Sequence, residues 1–206
     1  MRAADGFEGL GKMELILIRH SMTRGNLQRR YVGITDEPLC PEGVELARSR
    51  AAIFPRVECL YVSPLVRCGQ TADILYPGVP RTVCKDFRET DFGRFEYKNY
   101  EELKDDPDYQ KWLDSGGTIG FPGGESMEEA CERVLAAFDR MLHDLKEKNI
   151  STAAAIIHGG TIMAIMSGRI IPKRSFYDWQ LKNCEGYLLL EHENCGLKLV
   201  REYRLA

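Results

Sequence analysis

Short uninterrupted apolar runs alternate along this chain with longer stretches whose apolar positions recur every three or four residues. Leu15 to Ile18 is the first run, and its β-branched content fits a strand covered on both faces. It stops at Arg19-His20. Val57–Val62 and Ala153–Ile157 repeat the pattern, and Thr82–Lys85 is a shorter version of it. Between them lie helical periods. Pro41 supplies a first-turn proline, with Val44, Leu46, Ala47 and Ala51 following at helical spacing to about Phe54. Ser63-Pro64 predicts a second helix start, with Ser63 as its cap, running to Tyr76 where Pro77-Gly78 stops it.

Two short helices are predicted over about 98–105 and 107–114. Ser126 and Glu129 form a capping box that opens a long helix to about Lys148, with Val134, Leu135, Phe138, Leu142 and Leu145 on one face. Thr161 to Ile171 reads as a further helix halted by Pro172. Tyr187–His192 and Leu197–Tyr203 flank Glu193-Asn-Cys-Gly196, a hairpin signature. This order predicts the α/β class: a mostly parallel central sheet flanked by helices on both faces, with a C-terminal antiparallel hairpin. The length of 206 residues suits one domain over 13–206, and the Gly-rich, aperiodic residues 1–12 are expected to be a flexible extension.

A net charge of −3 argues against a surface built to hold nucleic acid or an anionic membrane, so any anion site must be local. No stretch approaches the roughly 18 apolar residues of a membrane span, and the first residues lack the apolar centre of a secretory signal. A cytoplasmic protein, monomeric or homodimeric, is expected. The seven cysteines are odd in number, widely spaced and without a CxxC pair, which argues against a disulfide framework or a zinc site. Reduced thiols and no bound metal are the expectation.

In an open parallel sheet ligands bind beyond the carboxyl ends of the strands. Arg19-His20 follows the first predicted strand, Arg67 the second, Glu89 the third and His158-Gly159-Gly160 the fourth. Two arginines, two histidines and a carboxylate gathered at one edge suit a phosphate dianion, because guanidinium forks pair with phosphate oxygens and helix N-termini add backbone donors. Arg24, Arg29 and Arg30 form a basic cluster beside that edge, open both to an ordinary solvated loop and to the steering of an anionic substrate.

The same residues carry a resemblance. Leu15-Ile-Leu-Ile-Arg-His-Ser-Met-Thr-Arg-Gly-Asn26 is similar to the RHG signature of the histidine phosphatase superfamily, in the branch shared by cofactor-dependent phosphoglycerate mutases and small-molecule phosphatases. The likeness continues in Tyr31–Leu39 with Gly43, in Ser63-Pro-Leu-Val-Arg67 with Gln70-Thr71-Ala72, in Arg88–Glu96, in Pro122-Gly-Gly-Glu-Ser126 and in His158-Gly159-Gly160. It implies that His20 is the nucleophile, that Arg19, Arg67 and His158 bind the phosphoryl group, and that Glu89 donates the proton. Asn26 would be a further phosphate ligand, with Ser21, Thr23 and Gly159 also expected at the substrate. Ser21 stands where the family usually has glycine, so its side chain would either crowd the phosphate or add a donor.

The resemblance thus implies a metal-independent phosphomonoesterase, without cofactor, acting on a small phosphorylated metabolite through a phosphohistidine. Phe121–Ser126 and Gly33-Ile-Thr-Asp36 resemble α-ribazole phosphatases in particular. A phosphoglycerate mutase, which returns the phosphoryl group to a bound glycerate, and an inactive phosphate-binding module stay open as alternatives.

Overall fold

The computed structural model describes residues 13–192 and 196–205. The predicted extension over 1–12 and the turn residues 193–195 lie outside these. Seven strands form one sheet in the order β3-β2-β4-β1-β6-β7-β5. Its centre is parallel: β1 (Glu14–Arg19) and β2 (Cys59–Val62) both run alongside β4 (Thr152–Ile157), and β3 (Arg81–Val83) extends β2. β6 (Gly186–His192) pairs antiparallel with β1 and with β7 (Gly196–Tyr203), which is the predicted hairpin. β5 (Ile170–Ile171) closes the edge beside β7.

Period-two alternation in the central strands decides which helices cover which face. Leu15, Leu17, Ala153, Ala155 and Ile157 pack under α6 (Met127–Glu147) and α7 (Gly159–Arg169). Ile16, Ile18, Ala154 and Ile156 face α2 (Pro41–Arg50) and α3 (Val66–Leu75). The alanine run of β4 has no bulk of its own and lets large helix side chains such as Phe138 and Met141 approach the sheet. The capping box of α6 forms as its sequence predicts: the Glu129 amide donates to Ser126 Oγ at 3.1 Å, and the Ser126 amide donates to Glu129 Oε2 at 2.8 Å.

Several elements differ from the sequence reading: α2 stops at Arg50, short of Phe54, and the first of the two short helices is narrower than 98–105. α3 begins at Val66 with Leu65 as an uncapped start, because the Ser63 hydroxyl is taken by a histidine described below. α7 begins at Gly159, immediately after β4, and ends at Arg169, since Ile170 and Ile171 pair with β7. The stretch after His20 holds one turn of helix, α1 (Arg24–Leu27), where none was predicted; Thr23 and Asn26 cap it reciprocally. The two short helices are α4 (Tyr100–Leu103) and α5 (Pro107–Asp114). Among the described residues no helix is long and apolar enough to cross a membrane.

Phe138 is fully buried between α6 and the sheet. Phe138→Ala is expected to cost roughly 3–5 kcal/mol, measured by urea unfolding, because the cavity cannot collapse against a close-packed sheet. A loss below about 1 kcal/mol would contradict this packing.

Candidate active site

The parallel register brings the carboxyl ends of β1, β2 and β4 to one edge, and each delivers a side chain there. Arg19 is the last residue of β1 and His20 follows it; Arg67 is the second residue of α3; His158 caps the start of α7. Glu89 enters from the loop that follows β3 and a single 3-10 turn at Lys85–Phe87. His20, Arg67, Glu89 and His158 are all buried.

His20 Nδ1 lies 2.6 Å from the Ser21 carbonyl oxygen. A carbonyl only accepts, so Nδ1 carries the proton and Nε2 keeps a lone pair. Burial first, then Arg67 and Arg19, hold the His20 imidazole neutral well below the ordinary histidine range. The same burial, with Arg67, His20 and Arg19 around it, does so for His158. The two rings meet edge to face with centroids 5.1 Å apart. His158 Nε2 shares a 2.6 Å hydrogen bond with Ser63 Oγ, which fixes the ring and explains why Ser63 is not the helix cap.

Arg67 is held by the 32–35 loop: Nη1 donates to the Thr35 carbonyl at 2.8 Å and Nη2 to the Gly33 carbonyl at 2.7 Å. Arg19 Nη1 donates to the Leu181 carbonyl at 2.5 Å. The Nε atoms of both arginines are buried without a partner. Glu89 accepts one backbone amide on each oxygen, from Thr90 at 2.9 Å and Gly160 at 3.0 Å. Glycine at 160 leaves the carboxylate its place, since a Cβ there would stand 2.5 Å from Glu89 Oε1 and push it aside.

A cavity of about 340 Å³ opens at this edge. Its polar end is lined by Arg19, His20, Asn26, Glu89 and Gly159, all anticipated from sequence. Arg67 and His158 stand behind that wall. Ser21 and Thr23 depart from expectation. The Ser21 amide donates to Thr71 Oγ1 at 2.9 Å and its hydroxyl to the Gly43 carbonyl at 2.6 Å, while Thr23 Oγ1 accepts the Asn26 amide at 3.2 Å. Neither lines the cavity. The side chain of Ser21 therefore braces the loop against α2 instead of crowding a phosphate.

The other end of the cavity is apolar, with Tyr31, Phe92, Trp112, Phe121 and Phe176 joined by Met127, Val134 and Met163. Of the aromatic residues between Phe92 and Trp112, the first and last reach the cavity; Phe95 and Tyr109 form a buried cluster with Leu103. Asn183 escaped the sequence reading. Its Nδ2 donates to the His20 carbonyl at 3.0 Å and to Asn26 Oδ1 at 3.1 Å, tying the backbone of His20 to the Asn26 side chain. A contact across more than 150 residues leaves no local signal.

Glu125 fixes the Glu89 segment from outside. Arg88 grips it through Nη1 and Nη2, both at 2.7 Å, and Arg133 through Nε and Nη2, both at 2.9 Å; the Asp91 amide also donates to it at 3.0 Å. Arg133 further donates to the carbonyls of Asp86 and Arg88. Burial opposes ionisation of Glu125, but the two forks outweigh it and hold the carboxyl down at about 2. The glycines before it are structural: a Cβ on Gly124 would lie 2.3 Å from the Asp91 carbonyl.

The family model of the histidine phosphatase superfamily (branch 1) matches residues 15–203. Among curated proteins, "Putative phosphoserine phosphatase 2" of Hydrogenobacter thermophilus is 33% identical over 162 residues, 74% of this chain and 76% of that protein. "Probable phosphoglycerate mutase GpmB" of Enterobacter sp. is 30% identical over 179 residues, 84% of this chain and 82% of the relative. Among solved structures, the α-ribazole phosphatase from Shigella flexneri superimposes with a TM-score of 0.80 at 20% identity, covering 93% of this chain and 96% of the other. That last likeness is one of fold alone.

Glu125→Gln is expected to cost about 1–3 kcal/mol at neutral pH, since both arginines lose their ionised partner. The depressed carboxyl contributes its stability above an ordinary value of 4.5 and loses it as pH falls towards about 2. Unfolding curves of the two proteins should therefore converge across that window. A constant gap would assign the effect to packing instead of charge.

Proposed function

The chain belongs to the histidine phosphatase superfamily (branch 1), and on that footing we propose that it hydrolyses a small phosphate monoester with an apolar, aromatic alcohol through phosphorylation of His20. The observation that carries the reading is the division of one cavity into a cationic end and an aromatic end. A phosphoryl group fits between Arg19, Asn26 and His20, and its alcohol then extends towards Trp112 and Phe121.

In this reading the neutral Nε2 of His20 attacks phosphorus in line with the departing alcohol oxygen. Arg19 and Asn26 stabilise charge on the equatorial oxygens, Arg67 acts at longer range through its charge, and the Gly159-Gly160 start of α7 adds its dipole. Glu89 gives a proton to the leaving oxygen, then takes one from the water that attacks the phosphohistidine. That second step breaks the P–N bond and returns His20 to its neutral form with release of phosphate. The positive charge comes from guanidinium groups, so the reaction needs no metal.

Phosphoserine and phosphoglycerate both carry a carboxylate on the alcohol side. The cationic residues lining the cavity, among those described, are Arg19 at the phosphoryl end and Arg30, whose Nη1 is bound to Glu102 at 2.7 Å and to the Tyr97 carbonyl at 2.5 Å. An aromatic wall without a free cation disfavours a carboxylate and a glycerate acceptor. It suits a nucleoside-like ester such as α-ribazole 5′-phosphate.

The test is phosphate release in EDTA from α-ribazole 5′-phosphate, p-nitrophenyl phosphate, phosphoserine and 3-phosphoglycerate, with and without 2,3-bisphosphoglycerate. Aromatic esters are expected to lead, without need of the bisphosphate, and His20→Ala should lower turnover at least about a thousandfold. Turnover that survives His20→Ala would overturn the phosphohistidine, and preference for 3-phosphoglycerate with the bisphosphate would point to a mutase.

Two further outcomes follow from the geometry. Gly160→Ala displaces the Glu89 carboxylate and should lower kcat while leaving thermal stability nearly unchanged, because the clash is with the end of a side chain. In the free protein, NMR titration should show the rings of His20 and His158 still neutral at pH values below 6.5. Protonation of either near 6.5 would mean that the site is wetter than its burial indicates.

A further inference from the structure

A second concavity, about 880 Å³, adjoins the reaction cavity and has none of the aromatic residues in its lining. The antiparallel pairing of β6 with β1 creates it. Pairing of Ile18 with Gly186 sets the start of β6 against the end of β1, so residues 180–185 lie beside Arg19 and His20. Pairing of Gly186 with Tyr203 carries Arg204 and Leu205 to the same place. Three separate parts of the chain thus meet around one groove.

Its lining holds five cations, Arg19, Arg29, Arg30, Lys182 and Arg204, against one carboxylate, Glu185. Arg204 is paired with Glu185 and Glu202, and Arg30 with Glu102. Arg29 and Lys182 have no side-chain partner among the described residues, and Arg19 donates only to a carbonyl. The groove therefore carries about three uncompensated positive charges, and it is walled in part by the amides of Asn26 and Gln180. Four of its residues, Arg19, Asn26, Arg30 and Gln180, also line the reaction cavity, so the groove adjoins that cavity.

Glu89, the group assigned to the leaving oxygen, lines the reaction cavity and not the groove. The alcohol accordingly occupies the aromatic side, which leaves the groove to an anion that carries no alcohol. We infer that this groove is a second anion subsite, holding inorganic phosphate between Arg29, Lys182 and the outer face of Arg19. Its identification as a station for product phosphate rests on the hydrolase reading; the anion chemistry itself does not. A dianion released at His20 passes from one set of partners to the next without crossing the apolar wall, and Arg29, just after α1, acquires a role.

The experiment is calorimetric titration of the full chain with inorganic phosphate at low ionic strength, repeated with Arg29→Glu combined with Lys182→Glu. Both positions are on the surface, and circular dichroism checks that the variant is folded. The unaltered chain is expected to bind two phosphates, and the charge-reversed variant one, with the lost site weakened roughly tenfold or more and the same site fading as salt is added. A single phosphate in both proteins, or two in both, would overturn the inference. The readout requires no turnover, so a protein that hydrolyses none of the esters above but loses one bound phosphate on charge reversal would refute the hydrolase reading and leave the subsite standing.

Discussion

Two guanidinium groups, Arg67 fully buried and Arg19 half-buried, stand at one edge of the sheet without a carboxylate in ion-pair contact among the described residues, and much of the site follows from how the protein tolerates them. Arg67 lies in a cage of carbonyls from the 32–35 loop, and Arg19 leans on the Leu181 carbonyl. Carbonyl dipoles orient a cation without cancelling its charge, whereas a carboxylate would do both. The retained charge, added to burial, keeps both nearby imidazoles neutral, so a site rich in basic groups offers a nitrogen lone pair. Hydrogen bonds from Thr90 and Gly160 hold Glu89 at the same edge without neutralising either arginine. A neutral imidazole, guanidinium charge and a carboxylate thus coexist because the ion pairs are placed outside, at Glu125 with Arg88 and Arg133.

The sequence made the sheet order partly legible, and of the residues expected at the site Arg19, His20, Asn26, Glu89 and Gly159 line the cavity while Arg67, His158, Ser21 and Thr23 do not. Strand ends are marked by where an apolar run stops, and the residues that stop these runs, Arg19-His20 and His158-Gly159, are those that converge. The errors have local physical causes. Ser63 looks like a cap because Ser-Pro is a common helix start, but a buried imidazole offered its hydroxyl a better partner across 95 residues. Ser21 and Thr23, read as substrate contacts, are consumed by backbone groups of their own neighbourhood. The apolar end was the least readable, because Tyr31, Phe92, Trp112, Phe121 and Phe176 come from five loops and short helices with no common period.

Relatives named for phosphoserine, phosphoglycerate and α-ribazole chemistry share one fold or one family with this chain. Their names agree in the phosphate and differ in the group that carries it.

The two ends of the cavity also differ in what holds them up. The charged end hangs from β1, β4 and the helices that directly follow strands, so a change there disturbs the centre of the molecule. The aromatic end is borrowed from the inward side of α6, through Met127 and Val134, and from connecting segments that the sheet does not need. Mutations can therefore redraw the second without unfolding the first. A lineage built on this plan can drift between metabolites while its chemistry stays fixed, and annotation by overall similarity will go wrong at the alcohol far sooner than at the phosphate.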